Sequence, residues 1–266
     1  MMRYQNEIIL SAHRGDRKNY PENTIPAFEA ALEFGIEMLE LDVHMTQDGE
    51  LIVMHDRNTQ RTTGHDGFTN EMTLEQVRSL DAGSLFSDRF TNTKVPTVQE
   101  FIDLVKDTDV LINWELKDYP HKLGDIFAFE SADKLIALIE KYDLNERSMI
   151  NTFSDRTLEY IYLKYSNKFT FHGQGILGCQ KTNDQASIPQ TELYDWCCLW
   201  PNVPGSSPLD FPENFEYCVS KNIYPCVCFA DTMANYKKAL ELGCRMFTSN
   251  DIETAHNLLQ ELNVRE

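Results

Sequence analysis

Apolar and polar positions along the chain repeat one unit: a short apolar strand, a loop carrying polar residues, then an amphipathic helix. Met38-Leu39-Glu40-Leu41-Asp42-Val43-His44 alternates strictly between apolar and polar residues, which predicts a β-strand. Residues two apart on a strand share a face, so Glu40 and Asp42 point the same way. Residues 8–12 predict an earlier strand that ends at His13-Arg14-Gly15. Between the two, Pro21-Glu22-Asn23-Thr24 opens a helix. Thr24 or Asn23 serves as its N-cap, Pro26 lies in its first turn, Phe28, Ala31 and Leu32 share a face, and Gly35 stops it. A turn at Gln47-Asp48-Gly49 returns the chain through 51–54 to His55-Asp56.

Residues 57–96 break the rhythm with a Thr-, Asp-, Gly- and Arg-rich stretch around a helical piece at 73–80. The unit resumes with a helix at 98–106 and a strand at 110–116, followed by helices at 132–142, 155–165, 211–222, 232–242 and 252–262. Further strands start at Ser148, Lys168, Trp196, Ile223 and Arg245, which brings the strand starts to eight. Eight strands with interleaved helices predict a (β/α)8 TIM barrel. It fills one domain, 1–266, with an inserted subdomain at about 57–96 after the second strand. A doubly wound sheet is the alternative, but no Gly-x-Gly-x-x-Gly follows the first strand.

The formal charge of −18 argues against nucleic acid or an anionic membrane surface as the main partner, since both need clustered Lys and Arg. Near the N-terminus only Ile8-Ile9-Leu10 forms an apolar run. That is too short for a signal-peptide core or a membrane span, and the expectation is a cytoplasmic protein without stable membrane insertion. The seven cysteines, Cys179, Cys197, Cys198, Cys218, Cys226, Cys228 and Cys244, crowd into the C-terminal half where strands are expected. They read as buried free thiols rather than a disulfide framework, with a zinc site as the lesser alternative.

In a parallel barrel both strand faces are covered, so polar residues near a strand's C-terminal end point into the mouth where such folds keep their sites. His13 and Arg14 end the first strand, Glu40 and Asp42 the second, and His55 its return segment. Asn113, Glu115 and Lys117 share a face of the third, opposite Trp114 and Leu116. Singly, His55 is a satisfied loop histidine, Arg14 and Lys117 are solvated tips, and Glu115 is an ion-pair partner of Lys117; their coincidence at strand ends predicts a site. Three carboxylates without a nearby cysteine favour one divalent cation, Mg2+ or Ca2+, over zinc. With that ion, Arg14 and Lys117 leave the mouth one net positive charge, which suits a phosphodiester. Arg14 would offer paired planar donors and Lys117 a point charge, while His13 and His55 take and give protons.

The strings Ala12-His13-Arg14-Gly15, Pro21-Glu22-Asn23-Thr24, Glu40-Leu41-Asp42-Val43, His55-Asp56, Arg61-Thr62-Thr63-Gly64 and Glu115-Leu116-Lys117 together resemble the glycerophosphodiester phosphodiesterase family. The resemblance implies a barrel with a small insertion after the second strand and hydrolysis of small-molecule glycerophosphodiesters to glycerol 3-phosphate and an alcohol. It implies metal ligands at Glu40, Asp42 and Glu115, an acid/base pair at His13 and His55, and phosphate contacts from Arg14 and Lys117. Glu22 and Asn23 would support the first loop, or only cap the helix. Where the family often carries Trp-Thr-Val-Asn after the seventh strand this chain has Cys228-Phe229-Ala230-Asp231, and where it carries Thr-Asp after the eighth this chain has Ser249-Asn250. The expectation is an untouched catalytic centre and an altered wall for the alcohol or glycerol part, refilled by Phe229, Trp196, Trp200 or His172, although each tryptophan alone reads as core packing. Two other functions fit the same barrel: a lysophospholipase D-like phosphodiesterase and a non-catalytic phospho-ligand-binding barrel. Both histidines being present speaks against the second.

Overall fold

Eight parallel strands close into a barrel in the computed structural model, which describes residues 7–165, 168–175, 184–228 and 232–265. The strands are β1 (Ile9–His13), β2 (Met38–Met45), β4 (Leu111–Leu116), β5 (Ser148–Asn151), β6 (Thr170–Gln174), β7 (Trp196–Cys198), β8 (Tyr224–Cys228) and β9 (Met246–Ser249). They pair in chain order, and β1 closes the ring by pairing with both β2 and β9. A ninth strand, β3 (Leu51–Val53), runs antiparallel along the end of β2, with Val53 opposite Val43. This is the expected (β/α)8 barrel with its return segment.

Strand parity divides the apolar residues into two layers. Leu10, Leu39, Leu41, Ile112, Trp114, Ile150, Phe171, Val227 and Phe247 face outward and pack with helices, including Ile25–Phe34, Val98–Val105, Asp125–Lys141 and Ile252–Glu261. Ile9, Met38, Leu111, Met149, Trp196, Cys226 and Met246 face inward and plug one end of the barrel. The inward positions farther along are polar: His13, Glu40, Asp42, Asn113, Glu115, Asn151 and His172. They form the mouth.

Several boundaries differ from the sequence reading, and two of them have a clear physical cause. The helix expected from 132 starts at Asp125, after left-handed Gly124; Ile126 on its first turn is 86% exposed, which breaks the apolar period there. Strand β6 runs to Gln174 rather than 172, because its inward Gln174 is satisfied by side chains inside the barrel and the polar end does not read as strand. Between β3 and Val98 lie only short helical pieces, Gln60–Thr63 and Leu74–Ser79 among them, over a small apolar cluster that includes Ile52, Met54, Met72, Val77 and Val95. No helix among the described residues is long and apolar enough to cross a membrane.

Candidate active site

The loop after β1 makes two left-handed residues in succession, Arg14 at φ 61° and Gly15 at φ 79°. Gly15 is required: a Cβ there would lie 2.6 Å from the Ala27 carbonyl carbon. Arg14 pays a strain of roughly 1 kcal/mol or more for the same backbone region, and the surrounding bonds hold it there. Its N–H donates to Glu40 Oε2 at 3.0 Å, and its carbonyl accepts from Asn23 N–H at 3.0 Å. Asn23, itself left-handed at φ 57°, donates from Nδ2 to Asp42 Oδ2 at 2.8 Å. Thr24 occupies the N-cap position, but its hydroxyl donates to Pro21 O and caps nothing. The 21–24 string therefore holds a carboxylate in place rather than capping the helix.

Glu40, Asp42 and Glu115 bring one carboxylate oxygen each within 4.8 Å of one another, all three residues buried. Glu40 Oε1 and Asp42 Oδ1 accept no hydrogen bond. Burial, then the Asp42 and Glu115 charges, push the Glu40 pKa well above its ordinary value. Burial alone would raise Asp42 too, but Lys117 and Arg14 outweigh it and hold that carboxyl below the usual range. Arg14 Nε lies 3.0 Å from Asp42 Oδ2, and Lys117 Nζ lies 2.6 Å from Glu115 Oε1 and 3.5 Å from Asp42 Oδ1. Crowded buried oxygens without donors, drawn from carboxylates alone, are the donor set of a hard divalent cation. The residues fit such an ion.

The two histidines open on the same cavity as Glu40, Glu115, Arg14 and Lys117. His55 Nδ1 lies 2.6 Å from Asp56 Oδ1, and His13 Nδ1 lies 2.7 Å from Asn250 Oδ1. Paired with Asn250 Oδ1, His13 Nδ1 donates and Nε2, 3.9 Å from Glu40 Oε2, is the lone-pair nitrogen; Arg17 Nη1, 3.3 Å from the same Nδ1, can only donate and so favours the other tautomer. Burial, reinforced by Arg14, lowers His13 to about 3, so its imidazole is neutral. Behind His55 the buried His44 pairs with Asp118 at 2.7 Å and turns Nε2 toward the His55 carbonyl at 3.3 Å.

Glu22 ties these parts together. Its carboxylate meets Arg14 at 2.8 Å, Arg17 at 2.9 Å and Arg61 at 2.6 Å, and Arg61 also pairs with Asp56. Burial opposes its charge, but the three guanidinium groups win and bring the Glu22 pKa from 4.5 to about 2. A depressed folded pKa contributes stability that is complete above the unfolded value and lost as the pH falls. Thermal melting should therefore show on the order of 3 kcal/mol disappearing between about pH 4.5 and 2 in the wild type, with a flatter acid limb in Glu22→Gln. Equal acid limbs would show that the arginines do not hold Glu22 ionised.

The family model described as "Glycerophosphoryl diester phosphodiesterase family" matches residues 13–201. A glycerophosphodiester phosphodiesterase of Caldanaerobacter subterraneus subsp. tengcongensis is 42% identical over 257 residues, which covers 96% of this chain and 99% of the relative. The chain belongs to the glycerophosphoryl diester phosphodiesterase family. Among solved structures, a putative glycerophosphoryl diester phosphodiesterase of Silicibacter pomeroyi superposes with a TM-score of 0.79 at 21% identity, covering 98% of this chain and 96% of that one. An Oleispira antarctica phosphodiesterase, solved with the product sn-glycerol-3-phosphate, gives 0.79 at 18% identity over 98% of this chain and 100% of its own. Both carry the same fold.

As a glycerophosphoryl diester phosphodiesterase family member, the chain departs from the family pattern in two places, and they fall differently from expectation. Asn250 stands against His13 rather than in the wall, because the β9 end adjoins β1 when the barrel closes. The departure therefore reaches the partner of His13, one of the two candidate histidines. Cys228 lines the cavity, as do Trp200 and His172, whereas Phe229, like Cys179, lies outside the described residues. Trp196 is core, fully buried and stacked on Tyr224 with ring centroids 4.7 Å apart. Trp200 is not: its Nε1 donates to Gln174 Oε1 at 3.0 Å, Gln174 Nε2 to Asn151 Oδ1 at 2.7 Å, and Asn151 Nδ2 to Glu115 Oε2 at 3.4 Å. That relay supports Glu115 from the far wall. No local pattern in the sequence joins Asn151 and Gln174 to Trp200.

Proposed function

We propose that the protein hydrolyses glycerophosphodiesters to glycerol 3-phosphate and an alcohol, with Glu40, Asp42 and Glu115 holding one divalent cation, Mg2+ or Ca2+. The observation that carries this reading is the convergence of donor-less Glu40 and Asp42 oxygens with Arg14, Lys117 and two histidines on one cavity. The activity named for the 42% identical relative supports it. When bound, the ion supplies Lewis-acid stabilisation of the charge that develops on the phosphoryl oxygens.

The chain's own residues do the rest. Arg14 presents planar donors to the phosphate and is aimed by Glu22 and Asp42, while Lys117 adds a point charge from beside Glu115. His13, neutral and paired with an amide, acts as general base through Nε2 on the attacking hydroxyl, whether of water or of the substrate's glycerol. His55, its Nδ1 held by the Asp56 carboxylate, gives a proton to the leaving alkoxide; burial lowers its pKa, and the Asp42 and Asp56 carboxylates oppose that shift. A barrel that only bound phosphorylated ligands would have no use for these two oriented imidazoles. The test is release of glycerol 3-phosphate from a panel of glycerophosphodiesters, with and without a chelator. Release is expected, and its loss on chelation; no release from any of them would overturn the reading.

Head-group choice should lie in the C-terminal wall, since Arg14, Lys117 and the ion grip what all glycerophosphodiesters share. Cys228→Trp restores an indole beside Trp200, a flat contact of about 0.5–1.5 kcal/mol, and should change selectivity roughly threefold to tenfold without changing metal affinity. The measurement is the ratio of kcat/KM for glycerophosphocholine, glycerophosphoethanolamine and glycerophosphoglycerol. Unchanged ratios would mean that residue 228 does not contact substrate.

A further inference from the structure

Glu40, Asp42 and Glu115 come from β2 and β4; on the other arc of the barrel, β6, β7 and β8, the inward chemistry turns from oxygen to sulfur and nitrogen. His172, Cys198 and Cys226 are each buried and offer ligand atoms that all lie within 4.8 Å of one another. Cys226 Sγ is 3.2 Å from His172 Nε2, and Cys198 Sγ is 3.4 Å from Cys228 Sγ, which leads out to the cavity. A tetrahedral ion with about 2.3 Å bonds to sulfur and about 2.0 Å to nitrogen needs its donors roughly 3.5–3.8 Å apart, so small side-chain rotations suffice. Nothing in the proposed hydrolysis uses these groups.

A second observation points to a ligand here. Asn113 Nδ2 lies 3.3 Å from His172 Nδ1, while the buried Asn113 Oδ1 has no hydrogen-bond partner. Turning the carboxamide end for end keeps its shape and lets Oδ1 accept from Nδ1–H. His172 Nε2 is then left with its lone pair toward the two thiols. That is how a metal-bound histidine is held, its second nitrogen donating to an oxygen. Burial keeps this imidazole neutral, at about 3, and raises the Cys226 thiol to about 12, so the thiols stay protonated until a cation displaces their protons.

We propose that His172, Cys198 and Cys226 form a second metal site, for a thiophilic cation of the Zn2+ class, separate from the carboxylate site and reached from the same cavity past Cys228. Soft donors select Zn2+ over Mg2+ and Ca2+, and the barrel then holds a hard and a soft site side by side. The charge balances: Zn2+ enters, two S–H bonds break, two Zn–S bonds form, and two protons leave to solvent. The neutral His172 is the third donor.

The experiment takes full-length protein, chelator-stripped and kept reduced with a phosphine, and titrates it with Zn2+ against a chromophoric chelator and separately with Co2+. Wild type and Glu40→Gln should each hold one tight equivalent of Zn2+ that excess Mg2+ does not displace. Co2+ should give both an intense near-ultraviolet thiolate-to-cobalt band. Cys198→Ala and Cys226→Ala should lose the band and weaken Zn2+ binding roughly a hundredfold or more. Zinc affinity unchanged in both cysteine variants, or lost in Glu40→Gln, would overturn the proposal. Should the alanine variants fail to fold, absence of the cobalt band in folded wild type would overturn it by itself.

Discussion

Glu40→Gln is expected to abolish divalent-dependent hydrolysis while leaving the metal-free protein at least as stable as wild type. Three carboxylates converge, and Glu40 Oε1 and Asp42 Oδ1 accept no hydrogen bond, although Lys117 Nζ lies 3.5 Å from Asp42 Oδ1. Removing one of the three charges relieves repulsion, and a glutamine oxygen can still accept the Arg14 N–H now bound by Glu40 Oε2. The cation loses a ligand, and with it several kcal/mol of transition-state stabilisation, about a thousandfold in rate. Asp42→Asn should lose activity as well but behave oppositely in stability. Asp42 is the partner of Arg14 Nε at 3.0 Å and of Lys117 Nζ at 3.5 Å, and neutralising one side of a buried ion pair typically costs about 3–5 kcal/mol. Calorimetric Mg2+ or Ca2+ binding, with thermal melting in chelator, separates the two variants. Metal binding unchanged in Glu40→Gln or Glu115→Ala would sink the three-carboxylate site.

Those carboxylates were legible in the chain because strand alternation is local: Glu40 and Asp42 two apart on β2, Asn113 and Glu115 two apart on β4, need no knowledge of the neighbouring strands. The barrel followed from eight short strands with interleaved helices. What stayed hidden depends on closure, which brings residues together with no sequence spacing to announce it. Asn250 meets His13 across 237 positions, His44 meets Asp118 across 74, and Cys226 meets His172 across 54. The cysteines illustrate the limit. Read singly they are small buried hydrophobes, and six among the described residues are free thiols; only the adjacency of β6, β7 and β8 sets two of them beside an imidazole. Asn250 shows it too, for the seam between β9 and β1 turns a change at the far end of the chain into a change at the first histidine.

The two histidines should both matter and should not be interchangeable. His13→Ala and His55→Ala are each expected to lower kcat roughly a hundredfold or more, the usual scale of one proton-transfer group. Their partners set them apart. Asp56, on His55 Nδ1 at 2.6 Å, is a carboxylate that stabilises an imidazolium, and Arg61 and Glu22 hold that carboxylate in position. Asn250, on His13 Nδ1 at 2.7 Å, is an amide that fixes a tautomer without stabilising charge. An imidazole with a charged partner suits proton donation to the leaving alkoxide, and one with a neutral partner suits proton removal from the nucleophile. A nitrophenyl phosphodiester leaves as a weakly basic phenolate and needs no proton. It should therefore restore most of the lost rate in His55→Ala and little of it in His13→Ala. Steady-state kcat for that substrate and for a glycerophosphodiester in both variants decides the matter. Rescue of His13→Ala instead would exchange the two roles, and rescue of both or of neither would show that the histidines do not divide proton removal and proton donation between them.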